Sequence, residues 1–287
     1  MHLLSLNGGG SLGYIVVYLL EKLEEELNCS SSSLFDMIAG VSTGSIIGYG
    51  LSIGMPAKEI RKYYENFIPG IFKNKRGFFG SLFWSYYDIE NLEKVVRDIY
   101  GVDNLSECKV PFMTYATKVS GKYIEPEFWK SWKSFDTKIS DIISASCAAP
   151  LFFEPHKIGD DWYIDGGISS NSPNMSVITE VIKMGGDLDK IKLLNITPNA
   201  FRGFKKPKKE LVGLFKVARN VTGVSLFGTE MDKNYQTKQL LGNRFLYINC
   251  DCGFMMDTTK IEDLKNFAEL YWYANKHLMI NHLTVER

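Results

Sequence analysis

Leu34-Phe35-Asp36-Met37-Ile38-Ala39-Gly40-Val41-Ser42-Thr43-Gly44 is the stretch on which the fold turns. Leu34–Ala39 is apolar apart from Asp36 and reads as a buried strand. Gly40–Gly44 follows as a tight turn, and the chain then opens a helix. A strand that passes directly into a helix is the building unit of an α/β sheet. The turn carries the pattern G-x-S-x-G in the strand-to-helix context of a nucleophile elbow. Gly40 and Gly44 let strand and helix approach closely, and the helix N-terminus directs free N–H groups and its positive dipole end at the Ser42 hydroxyl. The pattern is short, and a plain glycine-rich turn with a capping serine fits it as well.

Working outward, the same alternation continues. Leu3–Asn7 is a buried strand and Gly8–Gly13 a turn. Tyr14–Leu27 is a helix with Ile15, Leu19, Leu20, Leu23 and Leu27 on one stripe. Pro56 starts a helix to about Phe67, and Asp88 caps another over Ile89–Tyr100. Pro111–Lys118 and Lys122–Trp129 are strands joined at Ser120-Gly121. A short helix over Ser140–Ser146, a strand over Asp161–Ile164, a helix over Pro173–Met184 and a strand over Ile191–Ile196 follow. From Lys208 the chain reads as mostly helical, with a strand at Arg244–Asn249 and a last helix from Lys260 to about Met279. The expectation is an α/β fold, a three-layer α/β/α sandwich around a mainly parallel central sheet. Residues 1–200 form the catalytic domain, and residues 201–287 a mostly helical C-terminal part packed on it.

Composition narrows the function. Lysine plus arginine and aspartate plus glutamate balance at 33 each, which gives nucleic acid no support as a partner. The cysteines, Cys29, Cys108, Cys147, Cys250 and Cys252, are odd in number and irregular in spacing; reduced thiols and a cytoplasmic setting fit them. The N-terminus lacks a secretory pattern, and no apolar run approaches the roughly 18 to 20 residues of a spanning helix. Any meeting with a membrane is therefore expected to be peripheral.

Two further glycine motifs carry chemistry. Gly8-Gly9-Gly10 and Gly13 lie between a strand and a helix, where consecutive glycines let N–H groups converge on an anion. A phosphate cradle would need a lysine that is absent. Gly8, Gly10 and Gly13 fit the spacing of a dinucleotide fingerprint, but no acidic residue ends the next strand. An oxyanion hole for acyl transfer is the preferred reading. Asp165-Gly166-Gly167 follows the strand Asp161–Ile164. None of the four histidines (His2, His156, His277, His282) lies in a loop that obviously ends a strand near the elbow, and an aspartate at a strand end such as Asp165 could take the serine proton directly. A β-turn aspartate is the plainer alternative.

Taken in order, these motifs resemble the patatin-like phospholipase family. That family carries a G-G-G-x-[RK]-G loop, a G-x-S-x-G elbow and a D-G-[GA] aspartate. The likeness extends to Ser144-Ala145-Ser146-Cys147-Ala148-Ala149-Pro150, to Phe128–Trp132 and to Asn171-Ser172-Pro173, and covers about Leu3 to Ile196. The resemblance implies a modified α/β-hydrolase fold and a phospholipase A-type serine esterase of lipid degradation. In it Ser42 and Asp165 form a catalytic dyad, and an acyl-serine intermediate forms. Gly8, Gly9 and Gly10, with Thr43, supply the oxyanion hole; Gly13, Gly40, Gly44, Gly166 and Gly167 support the motifs. The implied partner is a phospholipid or other acyl lipid, with no metal and no organic cofactor. The chain departs from the pattern at Leu12, where the family carries Arg or Lys, and at Asn7, often Asp. Those departures keep a non-catalytic lipid-binding protein open, and an acyltransferase is the third reading. Some compact bacterial relatives answer to a partner or nucleotide, but no activator or oligomeric state is legible here.

The remaining features are weighed against ordinary packing. Gly77–Tyr87 (GFFGSLFWSYY) is a lid or membrane-touching loop, or core packing. Arg202–Lys209 (RGFKKPKK) is a lipid-attracting segment, or a solvated loop. His156 is read as structural, and Cys147 as a packed thiol.

Overall fold

Alternation along each strand sorts the apolar residues into two cores. Leu4, Leu6, Ile38, Phe112, Leu194, Ile196 and Ile248 face a large cluster on one side of the sheet. Leu3, Met37, Ala39, Met113, Leu193 and Phe245 face a smaller one on the other. A sheet buried on both faces reads as continuous apolar runs, which is why these short strands were legible. The computed structural model describes residues 1–72, 85–101, 103–105, 108–199 and 214–285.

Among the described residues the strands are β1 (His2–Leu6), β2 (Met37–Gly40), β3 (Phe112–Lys118), β4 (Glu125–Lys130), β5 (His156–Ile158), β6 (Asp161–Ile164), β7 (Lys192–Thr197) and β8 (Phe245–Asn249). They form one mixed sheet in the order β5-β6-β3-β2-β1-β7-β8, with β4 paired to β3. Pairs β1–β2, β1–β7, β2–β3 and β7–β8 are parallel; β3–β4, β3–β6 and β5–β6 are antiparallel. The outer strand β4 carries Glu125-Pro126-Glu127, a proline and charges that discourage pairing with another chain.

The helices are α1 (Gly13–Leu27), α2 (Ser31–Leu34), α3 (Thr43–Ser52), α4 (Ala57–Ile71), α5 (Ile89–Tyr100), α6 (Ile139–Cys147), α7 (Asn174–Lys183), α8 (Leu214–Leu241) and α9 (Ile261–Thr284). α1 is buried from Gly13 to Glu21 because α4 and α9 both pack on it. α7 contributes Val177, Ile178 and Val181 to the smaller core. Beyond residue 200, β8 extends the same sheet and the Tyr271 hydroxyl of α9 donates to the Asn249 carbonyl at 2.9 Å.

Several boundaries differ from the sequence expectation. β2 starts at Met37 rather than Leu34, because Ser30–Ser33 turns into α2, with the Ser33 hydroxyl donating to the Ser30 carbonyl at 2.8 Å. α4 runs past Phe67 and through Pro69. Its apolar stripe continues to Ile68 and Ile71, and that burial outweighs the amide lost at proline. β5 is only three residues long and gave no periodic signal. Residues 77–84 of the aromatic stretch and all of 202–209 lie outside the described residues. Tyr87, at the end of that stretch, is buried and packs edge-on against Phe72 at 5.2 Å between ring centroids. No helix among the described residues is long and apolar enough to cross a membrane.

Candidate active site

The register of β3 brings the two halves of the site together. β4 pairs with Met113 through Lys118 and so occupies one edge of β3. β2 (at Phe112 and Met113) and β6 (at Thr117 and Lys118) must therefore share the other edge. β2 runs parallel to β3 and β6 antiparallel, so their C-terminal ends face each other across residues 114–116. Ser42 leaves the end of β2 and Asp165 the end of β6. The helix α6 fills the gap: Ser146 Oγ accepts the Ser42 N–H at 3.0 Å and donates to the Tyr115 carbonyl at 2.9 Å.

Ser42 occupies φ 55°, ψ −129°, a conformation that costs a non-glycine residue about 1–3 kcal/mol. The turn is forced by close packing on both sides. A Cβ on Gly40 would come within 2.0 Å of the Gly44 carbonyl oxygen, and one on Gly44 within 2.2 Å of the Leu6 carbonyl oxygen. Ser42 itself is 6% exposed. Asp165 is 2% exposed; its carboxylate accepts the Gly167 N–H at 2.7 Å, and the Ser42 hydroxyl lies near enough to favour its ionised form. Burial pushes its pKa up to about 6, and the nearby Ser42 hydroxyl and the Gly167 N–H oppose the rise. Gly166 lets the turn press on β3, since a Cβ there would meet the Tyr115 carbonyl oxygen at 2.3 Å.

The glycine loop lies beside the serine. A Cβ on Gly8 would sit 2.9 Å from Ser42 Cβ and 3.5 Å from its Oγ. The loop's N–H groups divide into two sets. Gly8 donates to Asn171 Oδ1 at 3.1 Å, Ser11 to the Met256 carbonyl at 2.8 Å and Leu12 to the Gly9 carbonyl at 3.2 Å. The N–H groups of Gly9, Gly10 and Thr43 find no acceptor among the described residues. Gly10 and Thr43 border the same cavity as Ser42. Gly13 packs against Thr43 Oγ1 and the Tyr64 hydroxyl, which are hydrogen-bonded to each other.

That cavity has a volume of about 650 Å³, mouth included. It runs from Ser42 between α4 and α5, walled by Ile46, Phe67, Ile71, Val95, Ile99 and Phe153. Its lining of aliphatic and aromatic side chains suits an alkyl chain.

Leu12 is fully buried in the large core, so its side chain turns away from solvent. Asn7 accepts from Asn195 Nδ2 at 2.7 Å. His156 is held by Glu93 at 2.8 Å and faces Asp141 at 3.7 Å. Cys147 is a buried thiol at the cavity wall, its pKa pushed well up by burial and by Asp165. None of the five cysteines is in a disulfide. Three polar residues at the site escaped notice as such: Ser146, Asn171 and Glu230. Ser146 and Asn171 lay in segments noted for their likeness, but no local pattern revealed their partners; Glu230 lies on a long helix with no motif.

Several known proteins are similar to this chain in sequence or in fold. A Caenorhabditis elegans intracellular phospholipase A2 is 30% identical over 191 residues, 63% of this chain and 17% of that protein. A Pseudomonas aeruginosa cGAMP-activated phospholipase is 28% identical over 188 residues, 63% of this chain and 56% of that one. An Escherichia coli cUMP-AMP-activated phospholipase is 24% identical over 254 residues, 83% and 75%. The chain thus spans a sixth to a half, roughly, of the first two relatives. The crystal structure of VipD from Legionella pneumophila shares the fold, with a TM-score of 0.54 at 14% identity over 98% of this chain and 67% of that one. The family model for patatin-like phospholipase matches residues 4–178, more than half of the sequence, and the chain belongs to that family.

Proposed function

We propose that this protein is a lipid acyl hydrolase of phospholipase A type, with Ser42 as nucleophile and Asp165 as its base. The observation that carries the reading is the Ser42 hydroxyl, set at a strained strand-to-helix turn beside a buried carboxylate and opening onto an apolar cavity. The acyl chain enters between α4 and α5, which places the ester carbonyl over Ser42. Asp165 takes the hydroxyl proton as Oγ attacks the carbonyl carbon. The oxyanion is met by the N–H groups of Gly9, Gly10 and Thr43, with the Gly8 N–H held by Asn171. As the tetrahedral intermediate collapses, Asp165 returns its proton to the departing alcohol. Water, deprotonated by the same carboxylate, then releases the fatty acid from the acyl-serine. No step calls on a metal or an organic cofactor.

The names of its relatives, phospholipases and in one case an intracellular phospholipase A2, support a phospholipid substrate; the encounter proposed with it is peripheral, at a membrane surface reached from the cytoplasm. The deciding experiment incubates wild type, Ser42→Ala and Asp165→Asn with mixed phospholipid vesicles, with and without cyclic dinucleotides, and analyses products by mass spectrometry. Free fatty acid and lysolipid from wild type alone are expected. Acyl transfer to an added alcohol would point to an acyltransferase. Equal product from all three proteins sinks the dyad, and no product together with no fluorophosphonate labelling of Ser42 points to a lipid-binding protein.

A further inference from the structure

We propose that Glu230 is a positioning residue for the oxyanion loop, acting through Asn171. The proposal rests on the hydrolase reading above and deepens it. Glu230 lies on α8, is 1% exposed and forms no salt bridge with a described residue. Burying an unpaired carboxylate is costly, and an apolar side chain of the same size would serve packing better. The carboxylate instead accepts the Tyr247 hydroxyl at 2.8 Å and Asn171 Nδ2 at 3.2 Å. Burial raises its proton affinity, and those hydrogen bonds oppose the rise.

A side-chain amide has a donor end and an acceptor end of nearly equal shape, so its orientation is set by its partners. Glu230 offers Asn171 only acceptors when ionised, which fixes the NH₂ on the Glu230 side. Asn171 Oδ1 then faces the Gly8 N–H at 3.1 Å. The flipped amide would set oxygen against carboxylate and NH₂ against N–H. Asn171 Nδ2 also lies 3.4 Å from the Gly8 carbonyl oxygen. Both groups of Gly8 are thereby pinned to one side chain. In a trans peptide the N–H of residue 9 points opposite to the carbonyl of residue 8. Pinning the Gly8 carbonyl on Asn171 therefore turns the Gly9 N–H away from Asn171, leaving it without a protein acceptor. From the other side Asn195 Nδ2 holds Asn7 Oδ1 at 2.7 Å. The loop is clamped at its entry, and Glu230 decides which way one clamp faces.

The experiment compares wild type with Glu230→Met, Glu230→Gln, Asn171→Ala and the Glu230→Met/Asn171→Ala double variant. It measures kcat and KM on a soluble ester, and the affinities of a long-chain trifluoromethyl ketone and of the matching fatty acid. The ketone forms a tetrahedral adduct that needs the oxyanion donors; the fatty acid reports the acyl cavity alone. Glu230→Met is expected to lower kcat and ketone affinity tenfold or more, with KM and fatty-acid affinity within about twofold, since losing one oxyanion donor costs about 10²–10³ in kcat. Glu230→Gln, which still offers Asn171 an acceptor, is expected to restore most of the loss. The double variant should fall no further than Asn171→Ala. Unchanged kcat and ketone affinity in folded Glu230→Met overturns the proposal, as does a double variant whose losses multiply. Should Glu230→Met not fold, Tyr247→Phe releases the other carboxylate oxygen, and an unchanged ketone-to-acid affinity ratio there overturns it equally. A wild type that turns over no ester and is not labelled at Ser42 defeats the hydrolase reading instead.

Discussion

If Asp165 is the base, acylation of Ser42 must follow the ionisation of a carboxyl group held up to about 6 by burial. The base is active when deprotonated, so the rate rises with pH and levels off above the pKa. A group of pKa about 6 is about nine-tenths ionised at pH 7 and a little under one-tenth at pH 5, so the rate should fall about tenfold between them. An unperturbed aspartate near 3.9 would be almost fully ionised at both, and the profile would be nearly flat. The two cases are far enough apart to separate. The measurement is the second-order rate of fluorophosphonate labelling of Ser42, followed by intact mass from pH 4.5 to 8; the reagent does not titrate there. Asp165→Asn should lower the rate by about 10²–10⁴-fold and remove the inflection. A rate that is constant from pH 5 to 7.5, or that keeps the inflection in Asp165→Asn, would refute the assignment of base.

Three further outcomes follow from the packing. Ser42→Gly removes the strain of φ 55°, ψ −129° and should raise stability by about 1–3 kcal/mol in denaturant unfolding while abolishing turnover; a lower stability would show that the turn is not strained. Gly8→Ala sets a Cβ 2.6 Å from Asn171 Oδ1 and 2.9 Å from Ser42 Cβ, so kcat should drop at least tenfold with KM little changed, and an unaltered kcat would count against the loop's role. Leu12→Arg restores the cation of the family pattern but at a fully buried position, so the thermal midpoint should fall by several degrees for a loss of about 3 kcal/mol or more, with no gain in activity. A stable, faster Leu12→Arg enzyme would mean that the side chain reaches the site.

The layers and the meeting of elbow and glycine loop were legible because both depend on local patterns. Leu3 to Leu6 and Met37 to Ala39 are apolar runs ending in glycine, and a parallel pair of them sets both turns at the same end of the sheet. Asp165 was legible as a residue type at a strand end. Its nearness to Ser42 was not, because it follows from β2 and β6 sharing one edge of β3, and the three residues of β5 that lead into β6 carry no periodicity. Asn171 and Glu230 were illegible for a related reason. They are 59 residues apart, and what joins them is one hydrogen bond formed only after α8 has docked. Sequence spacing on a helix marks a face, and Glu230 on that face reads as one more solvated charge.

The absence of a cation at Leu12 becomes intelligible when charge is followed through the proposed reaction. Before attack the site holds one negative charge, on Asp165. After attack Asp165 is protonated and the single negative charge sits on the oxyanion. Charge moves between Asp165 and the oxyanion without being created, so the reaction adds none to the buried volume. A histidine between the two would instead create an imidazolium beside the oxyanion, with Asp165 left ionised to support it, so the step would separate charge rather than move it. Neutral N–H donors can therefore suffice here, provided they are already oriented when the charge arrives. A dipole that must first turn loses much of its effect, which places the demand on loop rigidity rather than on added charge. That demand is met by Gly10 packed against the Met256 carbonyl, by Ser11 bonded to it, and by Gly8 bonded to Asn171. It also accounts for the raised pKa of Asp165. A cation beside the carboxylate would hold it ionised and weaken it as a base, whereas burial without one keeps its proton affinity close to what transfer near neutral pH requires.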